Sequence, residues 1–333
     1  MTDETRQFLR NSQCGYYSEP KPRAERTLVC CPEKYRKIER SNNGGRNTTP
    51  ANELPEPGKC GRYLSNRIYG GNVTEIDEFP WMALIQYKKA PKDYVFFCGG
   101  SLINSHYILT AAHCIANPKI PIEWQLFAAR LGEWDLREDP DCIEDIRGRR
   151  SCIAPHIDIR IDYAIVHPLY RPTSPSQLND IALVRLRQSV PNVMHIIPIC
   201  LPISEELRTK LYTSYETEVA GWGVTENGTI SSVKLRIRPK VQNIEVCEIN
   251  YRLFGITISP ESQLCVGGEA DIDVCSGDSG GPLMVIENTD GANVYIVAGI
   301  VSYGPAPCGF EGWPSVHTKV GSYMDWIIGN LLP

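Results

Sequence analysis

From residue 79 onward the apolar positions fall in short runs, at 81–87, 95–102, 126–131, 181–186, 218–222, 283–286 and 294–301, separated by turn-forming residues. Short β-branched and aromatic runs bounded by turns predict strands. Many of them spread over about 250 residues predict an all-β barrel or sandwich. The last segment, 322–332, instead carries Tyr323, Trp326, Ile327 and Ile328 at helical spacing, which predicts a C-terminal helix. Upstream the pattern dissolves. Residues 33–59 are polar, with Ser41-Asn-Asn-Gly-Gly45 and Pro55-Glu-Pro-Gly58, and are too poor in apolar side chains to fold alone. They read as a linker. Residues 1–32 hold Cys14, Cys30 and Cys31 and read as a small disulfide module or a tail with incidental cysteines.

The 333 residues are 42% hydrophobic, enough for a sizeable core. The net charge of -5 is modest and unclustered, which argues against nucleic acid as the main partner, and no run resembles a membrane span. Thirteen cysteines without zinc-type spacing read as disulfides made in an oxidising compartment, so the protein is expected to be secreted. Met1-Thr-Asp-Glu-Thr-Arg6 lacks the apolar core of a signal peptide, and the natural chain is expected to start further upstream.

One stretch organises the chemistry. In Gly277-Asp-Ser-Gly-Gly281 small residues crowd Ser279 into a tight turn, making it the candidate nucleophile. A serine hydroxyl needs a general base and donors for the oxyanion. The base would be His113 in Leu109-Thr-Ala-Ala-His-Cys114, the orienting carboxylate Asp180, and the oxyanion hole the N–H groups of Gly277 and Ser279. A lone histidine is usually a satisfied core or surface residue, and Asn-Asp a common cap. The three together, in the order His, Asp, Ser, match one of the few known chain orders of this constellation.

With these residues the chain resembles the trypsin-like serine proteases of the chymotrypsin family. Features such as Asp77-Glu-Phe-Pro-Trp81, Ala129-Arg-Leu-Gly-Glu-Trp-Asp135 and Gly304-Pro-Ala-Pro-Cys-Gly309 resemble the arthropod clip-domain branch, of Easter-like and prophenoloxidase-activating type. The resemblance implies two six-stranded barrels with the site between them over residues 68–333, a linker and activation peptide over 33–67, and a C-terminal half of a clip domain over 1–32. It pairs Cys60 with Cys200, Cys98 with Cys114, Cys247 with Cys265 and Cys275 with Cys308, with Cys142–Cys152 as an extra bridge. The three cysteines left over are those of the incomplete clip module. It further implies activation by cleavage between Arg67 and Ile68, the freed amino group pairing with Asp278. Breaking one side of such a buried pair is strongly unfavourable, so cleavage would act as a switch.

Asp273, six residues before Ser279, matches the base of a pocket for Arg or Lys, and Val274 in place of a hydroxyl favours Arg. Ser302 and Gly304 would line that pocket. Ser315 replaces a wall glycine and is expected to narrow it, and His317 stands where a Tyr is usual. Glu133, Asp135, Glu138 and Asp141 read either as a structural calcium site or as a solvated acidic loop. Arg147-Gly-Arg-Arg150 reads as a solvated tip, a partner contact or a nicking site. Asn47, Asn72 and Asn227 head glycosylation sequons. No cofactor is required for the chemistry. The expected function is that of a secreted zymogen in an extracellular cascade serving innate immunity, Toll signalling, melanisation or dorsoventral patterning. Its expected partners are an upstream activating protease, a downstream precursor cut after Arg, and a serpin-type inhibitor. The alternatives are a catalytically weak homologue acting as a cascade cofactor and, less favoured, a broad digestive enzyme.

Overall fold

The computed structural model describes residues 13–16, 27–29, 52–62, 72–145, 147–224, 229–270, 274–275, 277–289, 291–306 and 308–333. The chain divides into two compact units, residues 1–47 and 48–333. In the first, Gln13–Tyr16 pairs antiparallel with Thr27–Val29. Cys30, Cys31 and the side chain of Cys14 lie outside the described residues, as do Asn47, Arg67, Ile68, Asn227 and Asp273.

In the second unit, Met82–Ala90, Asp93–Leu102, Tyr107–Thr110, Gln125–Leu131, Ile157–Val166 and Ala182–Leu186 close into a six-stranded barrel. Its interior is filled by fully buried Ile85, Leu109, Leu131 and Leu183, with Trp81 and Phe79 packing at its edge against Tyr295. The next half of the unit forms one sheet of seven strands, bounded at one end by Leu235–Ile237 and at the other by Val241–Gln242. These two are neighbours in the chain, interrupted only by Arg238-Pro239-Lys240. Proline has no N–H to give a ladder. Pro239 therefore splits one strand in two, and the two ends of the sheet are halves of the strand that closes the second six-stranded barrel. This agrees with the expected double barrel.

Five disulfides form, at Cys60–Cys200, Cys98–Cys114, Cys142–Cys152, Cys247–Cys265 and Cys275–Cys308, as the resemblance implied. The bridge Cys142–Cys152 closes a short hairpin and constrains the unfolded chain by about 3 kcal/mol on a loop-entropy account. The C-terminal helix, Met324–Asn330, follows a short 3-10 turn at Val320–Tyr323; of the residues at helical spacing Tyr323 and Ile327 are buried and Ile328 is exposed, while Met324, outside that spacing, is buried as well. Two further helices have no counterpart in the sequence pattern. Glu205–Thr209 is capped by Ser204, whose side chain accepts from Leu207, and Ile244–Arg252 by Asn243, whose side chain accepts from Glu245. No helix among the described residues is long and apolar enough to cross a membrane.

Candidate active site

His113 lies in a single 3-10 turn, Ala112–Cys114, which follows directly on the barrel strand Tyr107–Thr110. The turn is tied twice at its last residue. Cys114 bonds Cys98 of the neighbouring strand, and the Tyr87 hydroxyl donates to the carbonyl of Cys114. Asp180 sits just before Ala182–Leu186, the strand paired to Tyr107–Thr110, so adjacent strands of one barrel deliver both residues.

The carboxylate of Asp180 is fully buried and accepts from three donors. Oδ1 takes the backbone N–H of His113 at 2.8 Å. Oδ2 takes the imidazole at Nδ1, 2.7 Å away, and the Ser302 hydroxyl at 2.5 Å. Its own backbone carbonyl accepts from Thr318 Oγ1 at 2.9 Å. Ser302 and Thr318 belong to paired strands of the second barrel, Ala292–Tyr303 and Ser315–Lys319, so Asp180 is gripped from both halves. The sequence placed Ser302 in the specificity pocket and missed this bond. Nothing in the pattern around Ser302 distinguishes a pocket serine from one donating to a carboxylate.

A buried anion fixed at Nδ1 sets the chemistry of the ring. Burial by itself lowers the imidazole pKa, but the charge of Asp180 and its hydrogen bond outweigh that, and the His113 pKa rises above its ordinary value. With Nδ1 held as the donor, Nε2 carries the lone pair of the neutral base.

Ser279 is presented from the second barrel by a tight turn. Asp278 donates its N–H to the Cys275 carbonyl, and the Gly281 N–H donates to the Asp278 carbonyl. Two interbarrel contacts seat the turn against the histidine. The Gly99 N–H donates to the Ser279 carbonyl at 2.8 Å, and a Cβ on Gly280 would come within 2.3 Å of Thr110 Oγ1 and 3.0 Å of Cys114 Sγ. Gly280 also has φ +80°, a conformation that a side chain would strain. Gly277 has φ +107°, and a Cβ there would stand 2.9 Å from the Gly223 Cα. These glycines are therefore required twice over, for backbone conformation and for room.

Asp278, named as the receiver of a freed amino group, accepts from the Gly223 N–H at 3.0 Å and the Cys275 N–H at 3.2 Å. A Cβ at Gly221 or Gly223 would stand 2.3 Å from one of its oxygens. The carboxylate thus occupies a slot that two glycines open.

Of the pocket residues, Ser302 and Ser315 are buried and Gly304 is exposed. The Ser315 hydroxyl, expected to narrow the pocket, donates to the Val266 carbonyl at 3.1 Å and stands 3.0 Å from His317 Nε2. Since its one proton goes to Val266, His317 carries its proton on Nε2. Complete burial lowers the His317 pKa to about 3, so that ring stays neutral. Of the sequons, Asn72 is exposed.

The four acids of the candidate calcium loop part company. Glu133, Asp135 and Asp141 are buried around the Trp134–Asp135 backbone. Trp134 N–H donates to Glu133 at 3.0 Å and to Asp141 at 2.8 Å, and Asp135 N–H donates to the second Asp141 oxygen at 3.0 Å. Glu138 does not join them, a correction to the expected ligand set. Its side chain is 40% exposed and pairs with Arg150 at 2.8 Å across the Cys142–Cys152 hairpin. Asp135 is engaged by Arg137 at 2.5 Å and Glu133 by Arg130 at 3.1 Å. Among the described residues the acids do not gather as one coordination sphere. The group that does, Cys98, His113 and Cys114, consists of a disulfide and the candidate base. Burial and the neighbouring Asp141 charge raise the Glu133 pKa against the lowering charges of His156 and Arg130, and burial raises that of Asp141 against Lys234.

Comparison with known proteins agrees with this geometry. The trypsin family model matches residues 68–327. Serine protease ea of Drosophila melanogaster is 44% identical over 329 residues, covering 98% of this chain and 82% of that protein. Phenoloxidase-activating factor 1 of Holotrichia diomphalia is 40% identical over 99% of this chain and 86% of its own length. The crystal structure of the Drosophila Grass clip serine protease of the Toll pathway superposes with a TM-score of 0.71 at 33% identity, covering 98% of this chain and 86% of that one. The chain is a serine endopeptidase that needs no cofactor for catalysis, and it belongs to the trypsin family and, within it, to the clip-domain serine proteases.

Proposed function

We propose that the chain is the secreted zymogen of a trypsin-like endopeptidase, switched on by cleavage between Arg67 and Ile68, which then cuts a downstream protein precursor after Arg. The observation that supports this reading is the seating of the Ser279 turn, with Asp278 in its slot on one side and the Ser279 carbonyl accepting from Gly99 at 2.8 Å on the other, against the barrel that carries the Asp180–His113 pair at 2.7 Å. In the reaction, His113 takes the proton of Ser279 Oγ as that oxygen attacks the scissile carbonyl. Asp180 holds the resulting imidazolium, the Gly277 and Ser279 N–H groups receive the oxyanion, and water hydrolyses the acyl-enzyme. Asp273 supplies the charge that selects Arg at the cut site.

The cascade role rests on the names of relatives, among them the Spaetzle-processing enzyme and melanization protease 1 of Drosophila. An upstream protease acting at Arg67, a precursor substrate and a serpin-type inhibitor are the partners that role requires, in an extracellular setting. After cleavage the Cys60–Cys200 bridge keeps the upstream segment attached. The test is hydrolysis of a small Arg amide before and after controlled cleavage at Arg67, with Ser279→Ala as blank. A rise of at least about 100-fold on cleavage, absent in the blank, is expected if the switch assembles the oxyanion hole. Equal rates before and after would remove the zymogen reading, and no rate at all would favour the cofactor role.

Calcium is the second part of the proposal, held by Glu133 and Asp141 with Asp135 after Arg137 withdraws. A divalent cation there would offset the cost of keeping two buried carboxylates charged. Saturating calcium is expected to raise the melting temperature by several degrees through binding to the folded state alone, and Glu133→Gln to remove most of that gain. An identical melting temperature in calcium and in EDTA would leave the solvated-loop reading in its place.

A further inference from the structure

The segment 72–78 begins five residues after the activation bond, and its hold on the protein decides where a new amino terminus can reach. It runs along the edge of the second barrel. Val73 bridges to Leu235, the Arg236 N–H donates to the Asn72 carbonyl at 2.6 Å, and the Lys234 carbonyl accepts both the N–H and the hydroxyl of Thr74. One side-chain pair locks this edge. Arg236 Nη1 donates to Glu78 Oε1 at 2.5 Å, with both side chains more than nine-tenths buried, and the other Glu78 oxygen accepts from the Glu75 N–H at 3.0 Å. No disulfide among the described residues ties 72–78 to the barrel.

The strand that Arg236 belongs to leads directly to the slot under the nucleophile. Leu235–Ile237 pairs with Glu218–Gly221, Leu235 opposite Gly221 and Ile237 opposite Val219. Gly221 and Gly223 then flank the Asp278 carboxylate, one residue from Ser279. The segment after the activation bond and the cradle of Asp278 are thus neighbours on either side of one three-residue strand, and a shift of the first changes the distance a freed terminus must span.

We propose that Arg236, through its buried pair with Glu78, is a positioning residue for activation: it fixes segment 72–78 in the register that lets the amino group freed at Ile68 meet Asp278. The inference rests on the zymogen reading above. A pair whose only task were stability could be replaced by packed apolar side chains with little or no loss. A pair that sets a register could not, because apolar contacts are non-directional whereas the guanidinium–carboxylate bond has fixed geometry.

The experiment uses the full chain, cleaved at Arg67, in four forms: wild type, Arg236→Gln, Arg236→Lys and the double variant Arg236→Met with Glu78→Leu. Each is followed by Arg-amide hydrolysis, by the rate at which cyanate carbamylates the new amino terminus, and by thermal melting. Arg236→Gln is expected to lower kcat/KM about tenfold or more and to speed carbamylation by a similar factor, as an amino group that pairs less often is more exposed. Arg236→Lys should recover part of both. The double variant, folded and melting near the wild type, should keep both defects. Wild-type hydrolysis and carbamylation in the double variant would overturn the proposal and leave the pair a structural one. So would an Arg236→Gln enzyme that loses activity only in proportion to a lost melting transition. If cleavage fails to activate the wild type while its terminus is nonetheless protected from cyanate, the zymogen reading is at fault. A wild-type terminus open to cyanate counts against the inference.

Discussion

Asp180→Asn is expected to reduce kcat about 10⁴-fold while the barrel still folds, because the substitution changes which protons are present without changing shape. The carboxylate now accepts at both oxygens, from the His113 backbone, from the ring at Nδ1 and from Ser302. An Asn can accept at one atom and must donate at the other. If the amide nitrogen faces Nδ1, that nitrogen must become the acceptor, the proton moves to Nε2, and the ring can no longer take one from Ser279. Turning the amide round instead places its NH₂ against the His113 N–H, so either orientation leaves one donor facing another. Ser302 keeps its own proton free in the first case, a second loss at a fully buried site.

The same variant has a pH signature with a definite sign. In the wild type, Asp180 holds the His113 pKa above the ordinary 6.5. Protonating His113 abolishes the base, so kcat/KM should be fully developed above that raised value and fall as pH drops through it. Without the charge of Asp180 only the lowering effect of burial remains, and the acid limb of the residual activity should move down. An acid limb that does not move would mean that Asp180 is not the source of the raised pKa. Measuring kcat/KM from pH 5 to 9 on both forms decides it.

The sequence made the first barrel more readable than the second, and the reason is local. Strands such as Met82–Ala90 and Ala182–Leu186 announce themselves as apolar runs because most of their residues are buried. Ile157–Val166 carries a clean alternation, Ile157, Ile159 and Ile161 against Asp158, Arg160 and Asp162, which does not stand out as an apolar run. Ser315–Lys319 is harder. It is wholly buried yet reads Ser-Val-His-Thr-Lys, and the side chains of Ser315, Thr318 and Lys319 bond to Val266, Asp180 and Thr209, partners far away in the chain. No local pattern reports a hydrogen bond made over such separations. The same limit explains why His113 and Asp180 could be named from the sequence whereas Ser302 as a donor to Asp180, and Arg236 as a lock on Glu78, could not. Glu138 shows the converse failure. Spacing put it beside Glu133 and Asp141, but the Cys142–Cys152 hairpin brings Arg150 across to it and turns it outward.

Gly223→Ala is the second substitution with a large expected effect, and it separates room from backbone freedom. Gly277 and Gly280 have positive φ, so any variant there mixes strain with collision. Gly223 has no such φ, and an alanine could adopt its backbone without penalty. The added Cβ would stand 2.3 Å from Asp278 Oδ2, 2.5 Å from its Cγ and 2.6 Å from Oδ1, closer than real contacts allow. Asp278 must therefore leave the slot, and the Gly223 N–H it accepts from loses its partner. Because Asp278 precedes Ser279 and directly follows Gly277, its displacement moves both candidate oxyanion donors. Removing even one such donor typically costs about 10²–10³ in kcat, so the Arg67-cleaved variant should lose about 100-fold or more. The uncleaved form should be unchanged, because on the switch reading it does not yet use the Asp278 ion pair. Gly329→Ala, where nothing lies within 4 Å of the added atom, serves as the control and should keep full activity. Benzamidine affinity, read by competition on the cleaved forms, adds the discriminating measurement. Weakened binding together with lost turnover would place the fault in the whole loop between Cys275 and Ser279. Intact binding with lost turnover would confine it to the oxyanion donors, and wild-type turnover would show that Asp278 does not need this slot to support the nucleophile.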